Sequence, residues 1–134
     1  MGNRDAILAG AWAAVLSGTP STLYAVATGR DPLEATKAAG SILRPRETRG
    51  PALVAAAVPV HLALSLGWAF VLDHARVRGL GRGAAAGLVI AALDLGLAGR
   101  RYPRLRDLAL APQVADHVAY GAVIGFVLSR RSRD

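Results

Sequence analysis

Asp94, Asp116, His117 and His61 stand inside otherwise apolar stretches, and their side-chain types could do chemistry. An aspartate at the centre of a bilayer-spanning helix costs ~2.5–3.5 kcal/mol to insert, so such a side chain faces protein or water and is a functional candidate by default. Asp94 could accept a proton or a cation; its structural alternative is pairing with His61, His117 or an arginine such as Arg100. His117 beside Asp116 could relay protons, because imidazole titrates near neutrality. Neighbours on a helix point ~100° apart, so one of the two would be capped at an interface while the other faces inward. His61, Ser65 and Trp68 recur at i, i+4 and i+7 and share one helix face, the pattern of a hydrogen-bonded interior histidine. Tyr24 and Tyr120 could supply hydrogen-bonding walls. Thr19 and Ser21 flank Pro20, where a span would kink and free backbone carbonyls, and Pro59 just before His61 would act in the same way.

These residues form no recognisable metal or cofactor motif. Cys is absent, which excludes disulfides, thiolate ligands and thiol catalysis. His61 and His74 are thirteen residues apart, but bis-histidine haem ligation needs a second histidine at matching depth on another helix, and His117 lies shallower than His61. His61, Asp94, Asp116 and His117 have no zinc-type ligand spacing. Neither a phosphate-binding glycine loop nor a Ser-His-Asp pattern is present. We therefore expect no metal and no cofactor.

The elements that must hold these residues are helices of membrane-spanning length. The chain has 134 residues, enough for one domain, and 53% are hydrophobic against 19% charged, so the charges must be segregated. None falls from Ala6 to Gly29 or from Gly50 to Leu72, runs of 24 and 23 residues. A span needs ~18–20. Two shorter runs qualify if Asp94, Asp116 and His117 enter the membrane. We read an all-α integral membrane protein, a four-helix antiparallel transmembrane bundle with spans at about 6–27, 51–72, 80–98 and 111–129. A short interfacial helix is expected at about 32–43, with Asp31 as N-cap, Pro32 at the first position and Glu34 at the third, ending before Pro45. Residues 100–109, where Arg and Leu alternate, read as a second interfacial segment. Nothing shows the ~10-residue alternation of a barrel strand. The first apolar run exceeds the ~7–15 residues of a signal-peptide core and is expected to remain as a span.

A net charge of +7 would point to nucleic acid in a soluble protein. Here the basic residues edge the apolar runs, as Arg30, Arg44, Arg46, Arg49, Arg100 and Arg130 illustrate. Flanking cations of this kind meet anionic lipid headgroups, so the expected partner is the lipid bilayer and not nucleic acid. Seven basic residues fall on the side of the termini and nine on the other, a difference too small to orient the chain. Richness in Ala, Gly, Leu and Arg suggests a bacterial source, and the expected location is the cell membrane, multi-pass.

Alternation of the spans gathers the polar residues. The second half of span 1 (Ser17, Thr19, Ser21, Thr22, Tyr24), the second half of span 3 (Asp94) and the first half of span 4 (Asp116, His117, Tyr120) fall on the side away from the termini. His61 lies ~15 Å in from Pro51 on span 2. Small residues recur every four positions: Gly10, Ala14 and Gly18; Gly79, Gly83, Gly87 and Ala91; Gly121 and Gly125. Such ridges mark faces turned towards protein. With four short spans they lead us to expect a homo-oligomer or a membrane-complex partner. The expected function is a transporter or channel-like protein with a polar half-membrane pocket for a small polar, cationic or amphipathic ligand. In it Asp94 sets the charge and His61 and His117 are proton-sensitive, with Asp116, Tyr24, Tyr120 and Thr19 around them. The alternatives are a membrane-embedded enzyme acting on a lipid or isoprenoid, with Asp94 or Asp116 as acid and His117 as base, and a structural or assembly subunit.

Overall fold

The apolar runs fold as long helices. The computed structural model describes residues 3–131, and among them all regular structure is helical, 82% of the residues. The elements are α1 (Asn3–Leu16), α2 (Thr19–Ala27), α3 (Glu34–Leu43), α4 (Gly50–His74), α5 (Leu80–Arg101), α6 (Pro103–Arg106) and α7 (Leu110–Arg131). Three stretches are long and apolar enough to cross a membrane: Asn3–Ala27 through α1 and α2, Gly50–His74, and Leu80–Arg101. Only 22% of the most apolar window of α4 is buried inside the molecule. Away from the rest of the molecule α4 exposes Leu62, Phe70 and Val71, an apolar face. Leu110–Arg131 has the length but carries Asp116 and His117, and it is not among the three.

α7 is the central helix, packed against α1, α2, α4 and α5. Its closest partner is α5, and glycine makes the approach possible. A Cβ on Gly83 would fall 2.2 Å from the Gly121 carbonyl oxygen, and one on Gly121 2.1 Å from that of Gly83. A Cβ on Gly87 would meet the His117 oxygen at 2.2 Å. Gly79 opens α5 with φ +88°, a conformation that favours glycine, and donates its N–H to the Gly125 carbonyl at 2.8 Å, where a Cβ on Gly125 would lie 2.4 Å from the Gly79 oxygen. On α1, Gly10 faces α4, where a Cβ would lie 3.0 Å from the Cβ of Ala69. The small-residue ridges are thus filled within one chain, and an oligomer would have to use other surface. Around the chain termini Ala9, Ala13, Ala69, Leu72, Ile124 and Leu128 form a closely packed core. Ion pairs between Asp5 and Arg131 (3.1 Å) and between Asp73 and Arg78 (2.6 Å) tie the rim of that end.

Two local expectations are corrected. The first apolar run is not one kinked helix but two, parted at Ser17–Gly18, and Pro20 lies in the first turn of α2, where proline is tolerated. Pro59 does not interrupt α4, which runs unbroken from Gly50 to His74. Packing of α3 before it and α1 beyond it holds the helix through the missing hydrogen bond.

α3 forms inside the expected 32–43 and buries Ala38, Gly40 and Ser41. It packs on α4 backbone to backbone, for a Cβ on Gly40 would come 1.9 Å from the Leu53 carbonyl oxygen. Lys37 (2.5 Å) and the Leu33 N–H (2.9 Å) hold the Asp31 carboxyl below the usual carboxylate range. Glu34 does not close a capping box on Asp31; it pairs with Arg30 at 2.8 Å.

Candidate functional site

α4 and α5 touch only sparsely, and the space between them is a cavity of about 920 Å³. α7 and the α1–α2 break form its floor, and α3 with the α5–α6 turn walls the end away from the termini. The walls are mainly apolar, with Val15, Leu23, Ile42, Val54, Leu64 and Leu95 among them. Among the described residues no Lys or Arg lines the cavity. Its ionisable side chains are Asp94, Asp116, His61 and His117, with the phenols of Tyr102 and Tyr120. A smaller cleft of about 480 Å³ adjoins it at Leu95, Leu105 and Gln113, and there Arg100 and Arg106 begin.

The helix break places two of these groups. Parting α1 from α2 frees carbonyls at the end of one helix and N–H groups at the start of the next, and each buried group needs a partner. His61 Nε2 donates to the Ala14 carbonyl at 2.9 Å, since a carbonyl can only accept. The Asp116 carboxylate accepts the Ser21 N–H at 2.8 Å through Oδ1, a charge-assisted bond at the favourable end of α2. The Thr19 hydroxyl donates to the Leu16 carbonyl (2.8 Å), and the Ser21 hydroxyl reaches that of Gly18 (3.3 Å). His61 and Asp116, on two other helices, thus clamp the two ends of the break.

A second constellation joins α4, α5 and α7. His117 Nδ1 lies 2.8 Å from the Gln113 carbonyl, one helical turn back, and donates to it. Its Nε2 faces Asp94 Oδ2 at 3.5 Å. Trp68 Nε1–H donates to the same Oδ2 at 3.3 Å. With the hydrogen on Nδ1 fixed by the carbonyl, two lone pairs would face each other unless a proton sits on Nε2 or on Oδ2. A proton on Nε2 would make the contact an ion pair. The Tyr120 hydroxyl donates to the Ser65 carbonyl, bridging α7 to α4 below the pair.

Asp94, Asp116, His61, His117, Tyr120 and Thr19 therefore line one cavity. Tyr24 does not. It is exposed on α2, outside the cavity, and only its backbone carbonyl is engaged, accepting the Thr28 hydroxyl at 2.7 Å. Depth along the span put Tyr24 in the expected half, but the buried face runs through Ala13, Ser17, Ser21 and Ala25, and Tyr24 lies off it. Of the partners considered for Asp94, the structure brings His117. Sequence reasoning placed Trp68 on the correct face but missed it as a donor to Asp94. It missed Gln113 altogether, although Gln113 stands four residues before His117 and its carbonyl is in reach on any helix. The α3 wall had no local signal. Among the described residues no group of three or more His, Asp or Glu side chains is arranged to hold a metal ion. No protein-family model, curated protein or solved structure matches the chain significantly.

Proposed function

We propose that Leu110–Arg131 crosses the bilayer together with the three apolar stretches, as the fourth span of an antiparallel bundle in a cell membrane. The cavity then takes up an amphipathic molecule from one membrane half. α7 needs no apolar surface of its own kind, because α1, α2, α4 and α5 surround it and shield Asp116 and His117. The observation that carries the binding reading is the cavity itself. About 920 Å³ of mainly apolar wall converges on one carboxylate–imidazole couple, the volume and lining typical of small-molecule sites. The core of Ala9, Ala13, Ala69, Leu72, Ile124 and Leu128 closes the other half, which favours a one-sided binding site over an open channel. Carriage across the membrane would require the α1–α2 break to move. A second reading, an enzyme acting on a lipid, is favoured by the juxtaposition of Asp94 and His117, a carboxyl and an imidazole 3.5 Å apart that suit general acid–base chemistry.

Two measurements test this. Cysteines introduced at positions 56, 62, 89 and 123 should resist a membrane-impermeant reagent that labels loop positions; equal labelling refutes insertion. Native mass spectrometry of protein released from lipid nanodiscs should find a retained amphiphile, lost in Ala63→Phe, which adds a ring to the cavity wall. Wild-type protein that retains nothing, or Ala63→Phe protein that retains as much, refutes the binding site.

A further inference from the structure

Asp94 and His117 invite a more specific question: what charge does the cavity accept, and what must leave when it arrives? Asp94 Oδ2 takes both the Trp68 N–H and the contact with His117, while Oδ1 has no hydrogen-bond partner among the described residues. The side chain lines the cavity and remains partly accessible from it, at 27%. The groups that surround the couple are Asp116 and Tyr120 on α7, His61 and Trp68 on α4, and Tyr102 at the end of α5. Asp116 is occupied by the Ser21 N–H, His61 by the Ala14 carbonyl and Tyr120 by the Ser65 carbonyl. No fixed positive side chain is present, and the arginines stop in the adjoining cleft. An anionic head would meet two carboxylates with at most one imidazolium to balance them, whereas a cationic head finds a free carboxylate oxygen beside an indole ring.

Resting on the cavity being a binding site, we propose that its ligand class is a cationic amphiphile whose charged head binds Asp94 and displaces the proton held by His117. The exchange balances. A cation enters, one proton leaves Nε2, Nδ1–H stays on the Gln113 carbonyl, and Asp94 remains ionised. Exchange is preferred over simple addition because a second positive charge beside an imidazolium, in a site walled by apolar side chains, is repelled with little solvent to screen it. Leaving the net charge unchanged removes that cost.

Trp68 itself reports on the site. In a Trp12→Phe background it is the remaining tryptophan, and Trp12 is exposed on α1, outside the cavity. The probes are two nitroxide-labelled alkyl chains of equal length, one ending in trimethylammonium and one in sulfate. They are added to protein in phosphatidylcholine nanodiscs between about pH 5 and about pH 9, the range around an imidazole titration. The trimethylammonium probe should quench Trp68 at concentrations about tenfold below those needed by the sulfate probe. Its affinity should strengthen by up to about tenfold per pH unit until the free couple has lost its proton, then level off, as release of one proton requires. His117→Gln should flatten that slope, and Asp94→Asn should abolish the preference for the cation. Quenching by both probes with equal affinity, a flat pH profile in the wild type, or a slope that survives His117→Gln and vanishes in His61→Gln overturns the proposal while leaving the binding site standing. Failure of both probes to quench Trp68 beyond the lipid background overturns the binding site as well. The wild-type slope needs no variant, so misfolding of Asp94→Asn cannot rescue the idea.

Discussion

Two alanine substitutions on α5 separate close packing from helix propensity. At Gly83 the new Cβ would stand 2.2 Å from the Gly121 carbonyl oxygen, 2.9 Å from its carbonyl carbon and 3.1 Å from the Ala122 Cα. All three are backbone atoms, so no side chain can swing aside, and α5 must retreat from α7 by roughly 1 Å to reach ordinary contact. Overpacking of this kind costs about 1–3 kcal/mol. Retreat also stretches the Gly79–Gly125 hydrogen bond at the start of the same helix, 2.8 Å long, worth a further ~0.5–1.5 kcal/mol. At Gly96, thirteen residues on, a Cβ meets nothing within 4 Å. Gly96→Ala should therefore be neutral or stabilise by up to about 1 kcal/mol through helix propensity. Unfolding by SDS titration in mixed micelles, followed by circular dichroism, should place Gly83→Ala about 2–4 kcal/mol below wild type and Gly96→Ala at or above it. Gly83→Ala as stable as wild type, or equal loss in both variants, refutes the argument that backbone contact between α5 and α7 holds the fold.

Trp68→Phe keeps an aromatic wall but removes the donor to Asp94; because that bond is long and partly accessible, the loss should sit near the lower end of the ~1.5–3 kcal/mol expected for a bond to a charged group, read by the same titration. Asp116→Leu leaves the Ser21 N–H without its acceptor, so amide exchange at Ser21 should accelerate while exchange in the α5–α7 contact stays slow; unchanged exchange at Ser21 would count against the clamp. In the loop before α4, Arg49 and its backbone N–H hold the Glu47 carboxyl down to about 2 from an ordinary 4.5, so the order that this contact gives the loop is complete above the ordinary value and is lost as pH falls towards about 2. NMR titration should find that low midpoint in the wild type, and Arg49→Gln should return it towards 4.5.

Much of this protein is local and was legible as such. Uncharged runs of 24 and 23 residues and the Gly79/Gly83/Gly87 and Gly121/Gly125 ridges are patterns within one stretch of chain, and apolar length and small-residue period determine helices and their packing faces without reference to partners, whereas the start of α3 lies at Glu34 with Leu33, not Asp31, as its N-cap. The shared face of His61, Ser65 and Trp68 follows in the same way from helical period, as does the placing of Asp94, Asp116 and His117 towards one end. What tertiary structure decided is non-local. Ser17 and Gly18, poor helix formers ahead of Pro20, give the break a local cause, but it is held by His61 from α4 and Asp116 from α7, whose contacts span 47 and 95 positions of sequence. The cavity arose because α5 spends its glycines on α7, while α4 packs mainly on α1 and α3. Hydropathy counts each residue by its own transfer cost, so α7, with its acid and imidazole, is not among the three apolar stretches, and only the structure shows that α1, α2, α4 and α5 pack against it.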